Sequence, residues 1–329
     1  MSTLALATRS EEAVSSAFSA AGGDPRVVDL ESATWRVGIL PCSAGAIAYA
    51  KVLVDGVWRD LLRPTKATKL DSPGSCASFP LIPWSNRIAD AKLTFGGQTW
   101  QLPRTSPDGT AMHGSVLPFG FTVLDRTGSS VRLGLDSRSV VGMGFPWAFT
   151  TELTYTVTDE GLTVTTTVTN VDADAFPAGF GHHPYFVRSI TPDCGEPQLE
   201  IPVTCGYALE SAMAVDEAGP LPARADYSTL RPLGGKFVDD CLTGRVPGPV
   251  RIVYPGARAD GSDVEVRITA DDVYSHWVVY VPVARTYFAV EPATNANGGF
   301  ALAERGVAGS GVFVLEPGES KTGTFTVSL

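Results

Sequence analysis

Apolar and polar residues alternate with a period of two along most of this chain, the signature of strands with one buried and one wetted face. The clearest case begins at Phe149: Phe149, Leu153, Tyr155 and Val157 share one face, and Thr150, Glu152, Thr154 and Thr156 the other. Asp159-Glu160-Gly161 turns the chain, after which Leu162, Val164 and Val168 alternate with Thr163, Thr165, Thr167 and Thr169. Threonine is β-branched and suits the exposed side of a pleated sheet. The same reading predicts strands over residues 45–54 and from 57, around Asp55-Gly56, and over 92–95 and 98–102, around Gly96-Gly97. Turn residues set between alternating runs mark hairpins. Further strands are expected over 250–254, 264–269, 276–281, 286–291 and 322–329. Helical periodicity is scarce: one short helix is expected over residues 11–19, stopped by Gly22-Gly23. No linker interrupts the run of strands after it. The expectation is an all-β chain, with a peripheral segment over 1–34 and one large antiparallel sandwich over 35–329.

Composition narrows the partners. A chain of 329 residues can bury a substantial core without disulfides. Against 25 Lys and Arg stand 35 Asp and Glu, a formal charge of −10. Nucleic acids and anionic membranes favour basic patches, so neither is an expected partner; a neutral small molecule is. The five cysteines (Cys42, Cys76, Cys194, Cys205 and Cys241) are scattered and form no CxxC pair. That speaks against a disulfide framework and a zinc knuckle, and fits reduced thiols in a cytoplasmic protein. The apolar run Leu4–Ala7 lacks a basic segment before it, and no stretch is long enough to span a bilayer.

Two residues stand out for chemistry. His183 lies in Gly181-His182-His183-Pro184-Tyr185-Phe186, and Glu291 closes Tyr287-Phe288-Ala289-Val290-Glu291-Pro292. A residue before proline is pushed into extended backbone, so both are expected to project from strand ends. Imidazole and carboxylate are the commonest acid and base near neutral pH. Three more polar patches accompany them: Phe79-Pro80-Leu81-Ile82-Pro83-Trp84-Ser85-Asn86-Arg87-Ile88, Met112-His113-Gly114, and Phe237-Val238-Asp239-Asp240-Cys241-Leu242-Thr243-Gly244.

Taken in order, these five patches resemble the aldose 1-epimerases, the galactose mutarotase family. The match lies in Asn86-Arg87-Ile88, His113-Gly114, His183-Pro184-Tyr185-Phe186, the Asp239-Asp240 segment and Glu291-Pro292, and it extends from about residue 35 to the end of the sequence. The resemblance implies a β-supersandwich and interconversion of the α and β anomers of a free sugar. It implies Glu291 as base and His183 as acid, with His113, Arg87, Asp239 and Asn86 binding substrate. It implies no cofactor, and the sequence offers no clustered ligand set for a metal.

The remaining residues of the same types take structural readings. His276 is expected to be a satisfied core histidine, and His182, facing away from His183 in an extended segment, a supporting one. Glu316-Pro317 precedes Gly318 in an exposed turn, so Glu291 is the better base. Asp239 and Asp240 could instead form an Asx-turn, and Asn86 could brace its own loop. Trp84 and Tyr280 could stack on a sugar, although core packing suits both. The polar segment 295–300 is expected to line the sugar's way in. Two other functions remain open: a mutarotase for phosphorylated or sulfonated sugars, using cations such as Arg104, Arg188 or Lys236, and a non-catalytic sugar-binding protein.

Overall fold

The structure is a computed structural model that describes residues 24–329. The helix expected over 11–19 lies outside these residues. The rest is built almost wholly from antiparallel strands, with one short α-helix, Gly299–Glu304.

The larger sheet has nine strands. Thr122–Arg126 forms one edge, followed by Ser130–Asp136, Phe149–Val157, Gly161–Asn170, Ser320–Ser328, Val264–Ala270, Val250–Tyr254, Gln198–Glu200 and Arg231–Pro232. The threonine alternation read from the sequence decides which side faces out. Across the pair Gly161–Asn170 and Ser320–Ser328, Thr163 bonds Thr326, Thr165 bonds Thr324 and Thr167 bonds Thr322, hydroxyl to hydroxyl at 2.9–3.0 Å. The opposite side carries Leu153, Val164 and Phe325 into the core.

The second sheet has eight strands. Val203–Gly206, Val238–Arg245, His276–Val281 and Tyr287–Ala293 run side by side at its centre. Val279, Val290, Phe288 and Phe186 join the core cluster of the larger sheet, and His182 Nε2 lies 3.0 Å from Thr166 Oγ1 of that sheet. The other side of this second sheet is where the polar motifs gather. A four-stranded sheet completes the architecture, made of Val28–Glu31, Trp35–Leu40, Ala46–Val54 and Val57–Asp60. The expected boundary at residues 34 and 35 falls inside its first hairpin, because Val28–Glu31 pairs with Trp35–Leu40.

Two local expectations need correction. Glu291 does not end its strand; Tyr287–Ala293 runs through Pro292. Thr286 O accepts from Arg188 N–H, and Thr294 N–H donates to Phe180 O, so even-numbered positions here turn their backbone groups towards the neighbouring 181–187 segment. That neighbour is broken between Gly181–His182 and Tyr185–Val187. Pro292 therefore lacks its donor where no strand partner is waiting. The Asp239-Asp240 pair is likewise no Asx-turn, since it lies inside the strand Val238–Arg245.

Candidate active site

Strand register assembles the floor of the site. Asp239 pairs with Tyr280, Tyr280 with Ala289, and Ala289 with Tyr185, a row across four neighbouring strands. The next row runs from Cys241 through Val278 to Glu291. Directly paired residues project to the same face. The methyl of Ala289 leaves room between the two tyrosines, and His183 follows the end of Gly181–His182 at the break beside Glu291.

The walls come from two turns. Arg87 pairs with Met112, and His113 N–H donates to Asn86 O at 2.8 Å. Asn86 (φ 56°) and His113 (φ 64°) both take left-handed backbone, at a cost of roughly 1–3 kcal/mol each. Gly114 (φ 80°) must be glycine, for a Cβ there would lie 2.0 Å from Ile82 O. Asn295 clamps the first turn: its Oδ1 accepts from Ser85 N–H and Oγ–H, at 3.1 and 3.0 Å, and its Nδ2 donates to Ser85 O at 3.2 Å. Asn295, Ala296 and Asn297 are buried, and Gly298 N–H donates to Arg87 O at 3.0 Å. Segment 295–300 is thus an internal brace and the start of the short helix, not a lining of the way in.

All six site residues singled out in the sequence meet at one cavity of about 180 Å³: Glu291, His183, His113, Arg87, Asp239 and Asn86. Met112, Tyr185, Val278 and Tyr280 complete its lining. His183 Nε2 and Glu291 Oε1 stand 3.1 Å apart, both buried. Burial, with Asp239 nearby, holds the Glu291 carboxyl well above the usual carboxylate range. Burial, with His113 and two arginines nearby, holds the His183 imidazole well below its own. Both shifts favour the arrangement in which neither group is charged, with the shared proton on Glu291. His113, 5.5 Å from His183 between ring centres, is pushed down to about 3 by burial and is neutral. Its Nδ1 is buried without a partner, as is that of His183. Arg87 donates to Asp108 Oδ2 and Asn86 Oδ1, each at 3.2 Å. Burial raises the Asp239 carboxyl, with Asp240 adding to the effect and Arg87 opposing it.

The other candidates fall elsewhere. Asp240 turns away from the cavity into a bidentate pair with Arg224, both bonds 2.7 Å. His276 is buried, with Nδ1 2.9 Å from Thr294 O and Nε2 3.1 Å from Tyr207 OH. Trp84 is in the core, and Glu316 is on an exposed turn. Tyr280, in contrast, lines the cavity. Tyr185 and Phe79 were missed as site residues, although Tyr185 lies within the His183 motif and Phe79 a few residues before Trp84. Phe79 stacks on the His183 ring at 4.9 Å, a contact no local pattern announces. Among the described residues, no three His, Cys, Asp or Glu side chains come together as a metal-binding set, and no helix is long and apolar enough to cross a membrane.

Comparison with known proteins identifies the family. Residues 50–328 match the family model for aldose 1-epimerase. The chain belongs to the aldose 1-epimerase family. Among its relatives is YphB of Escherichia coli strain K12, 29% identical over 282 residues, which span 82% of this chain and 90% of that protein. The fold is shared with a galactose mutarotase-like protein from Clostridium acetobutylicum (TM-score 0.78, 18% identity, covering 92% of this chain and 94% of the other). It is shared also with the GalM/aldose epimerase homologue from C. elegans (TM-score 0.75, 16% identity, 92% and 98%). Within this aldose 1-epimerase family member, the polar motifs all lie on the side of the eight-stranded sheet away from the core.

Proposed function

We propose that the protein is a mutarotase that interconverts the α and β anomers of a neutral free aldose. The observation that carries this reading is the buried Glu291–His183 pair at 3.1 Å, opening on a small polar cavity. The two oxygens that exchange protons in mutarotation, O1 and the ring oxygen, are bonded to the same carbon. The groups that serve them must therefore be neighbours.

In the forward step Glu291 carboxylate takes the proton of the anomeric hydroxyl. The bond from C1 to the ring oxygen breaks as the aldehyde forms, and the ring oxygen takes a proton from His183 imidazolium. Rotation about C1–C2 turns the aldehyde's other face to the ring oxygen. On reclosure that hydroxyl returns its proton to His183, and Glu291 reprotonates O1. The pair holds one proton throughout, first on His183 and then on Glu291. Burial favours the second arrangement, in which neither group is charged, and so draws the proton from His183 towards the ring oxygen once the ionised pair has formed. Arg87 and Asp239 offer fixed donors and acceptors to the sugar hydroxyls, with Asn86 and His113 holding the near side.

Charge at the site supports a neutral substrate. Among the described residues the one guanidinium lining it, that of Arg87, is already bonded to Asp108 and shares the cavity with the carboxyls of Asp239 and Glu291. Arg104 and Lys236 are exposed and Arg188 bonds Gly234 O, and none of the three lines the cavity. A phosphorylated or sulfonated sugar would find no spare cation in it.

Polarimetry tests the proposal directly. Freshly dissolved α-glucose, α-galactose and a hexose phosphate would be followed with wild-type protein and with Glu291→Gln. Faster relaxation of a neutral sugar to the same final rotation, lost in the variant, is the expected result. No acceleration of any sugar would leave a binding protein. Acceleration that survives the substitution would overturn the assignment of the base.

A further inference from the structure

Arg63 lies outside the cavity but reaches it through one ring. Its backbone N–H donates to Tyr185 O at 2.8 Å, beside a bridge between Leu62 and Phe186, so it extends the sheet past Tyr185. The guanidinium carbon sits 4.0 Å from the centre of the Tyr185 ring and 4.4 Å from that of Tyr287. Its Nη2 donates to Ser75 O and Cys76 O at 3.0 and 2.8 Å. These partners are rings and carbonyls rather than a carboxylate, and among the described residues Arg63 enters no ion pair. Tyr185 in turn lies 4.4 Å from the His183 ring between centres. A cation is drawn to the negative face of an aromatic ring, and a half-buried one is weakly screened by salt.

We propose that Arg63 is a positioning residue for the acid: it fixes Tyr185 against His183 and keeps an unpaired positive charge one ring away, which favours release of the imidazole proton to the sugar's ring oxygen. The inference rests on the acid role given to His183 above. The other groups that face this imidazole are Glu291 at 3.1 Å, His113 at 5.5 Å, Tyr280 at 6.4 Å, and Arg87 on the cavity wall. Glu291 stabilises the charged ring, while Arg87 and Arg63 oppose it. Burial acts in the same direction as the two arginines. Arg87 lines the cavity itself, whereas Arg63 reaches the site only through the Tyr185 ring that packs on His183.

With four histidines in the chain, the His183 ring can be followed by NMR titration and assigned with His183→Asn. Arg63→Gln removes the charge. The His183 midpoint is expected to move to higher pH by about half to one unit, and the acid limb of the mutarotation profile to move with it. Arg63→Lys keeps the charge, and its midpoint should stay within about 0.3 unit of wild type. If Arg63→Gln fails to fold, Tyr287→Leu removes one of the two rings that hold the guanidinium and should shift the midpoint upward by roughly half as much. An unmoved midpoint in the folded variant overturns the inference. The titration needs no substrate, so the two readings can fail separately. A moved midpoint without mutarotation sinks the proposed function alone, and intact mutarotation with an unmoved midpoint sinks the role of Arg63 alone.

Discussion

The two sides of the eight-stranded sheet are built from alternate residues of the same strands, yet they obey opposite rules. Away from the cavity, polar side chains are tied into the fold: His182 Nε2 meets Thr166, although its Nδ1 goes without a partner, and Asp240 meets Arg224 in a bidentate pair. On the cavity side, His183 and Glu291 have each other as polar partners, Asp239 is half-buried near Arg87 and Asp240, and the Nδ1 atoms of His113 and His183 go without partners. Three consecutive pairs make the contrast sharp: His182 and His183, Asp239 and Asp240, Val290 and Glu291. In each, one residue packs into the fold and its neighbour faces the cavity. Shifting the register by one residue would exchange the two sets, so the strand pairing decides which residues reach the cavity.

The largest expected effect is on the cavity side. Glu291→Gln should lower kcat by about 10²–10⁴ and leave the fold intact. Because burial raises the Glu291 carboxyl in the folded state, its contribution to stability is present below the unfolded value of 4.5 and lost as pH rises through the raised value. The melting temperature of the variant should therefore match wild type in acid and exceed it increasingly as pH rises. A melting temperature that falls at alkaline pH would break the comparison.

The wild-type pH profile comes next. Rate should form a bell, since only the pair with one proton is competent. Burial disfavours both charged extremes, so the acid limb should lie below the ordinary imidazole value of 6.5 and the alkaline limb above the carboxylate value of 4.5. A profile that rises steadily with pH, with no alkaline limb, would contradict a shared proton.

Asp239→Asn and Arg224→Met test the neighbours Asp239 and Asp240 against each other. The first should raise KM about tenfold, the worth of one hydrogen bond to a charged group, with no loss in melting temperature. The second leaves the fully buried Asp240 without its cation, although Arg224 itself is 56% exposed. It should cost about 1–3 kcal/mol of stability while kcat/KM stays at the wild-type value. If both variants lose activity alike, the two sides are not independent. The smallest effect belongs to the outer threonines. Thr326→Val should change unfolding free energy by only a few tenths of a kcal/mol, read by denaturant titration.

Much of this was legible in the chain. Strands 149–157, 250–254 and 276–281 fall where alternation put them, and six of the ten residues that line the cavity are the site residues the motifs single out. The strand Val28–Glu31 was passed over although its burial alternates, because four residues before a turn give too short a pattern to separate from a tail. The misjudged segment 295–300 shows the deeper limit. Asparagine and glycine look the same in a solvent-exposed loop as in a buried brace, and only the distant Ser85, 210 residues away, decides between them. Arg63 was silent for the same reason, since its contacts lie across the fold and not along the chain.

The hydroxyl ladder of the outer face joins Thr163 to Thr326 across 163 residues of sequence. Its second strand, Ser320–Ser328, lies between Gly161–Asn170 and Val264–Ala270, in the interior of the nine-stranded sheet. During synthesis, the two flanking blocks therefore wait with open hydrogen-bonding edges until this stretch clears the ribosome. Such long-range closure is slow and leaves strand edges exposed to stray pairing. For this chain, the interval between synthesis of residue 270 and residue 328 is the period in which a chaperone would matter most.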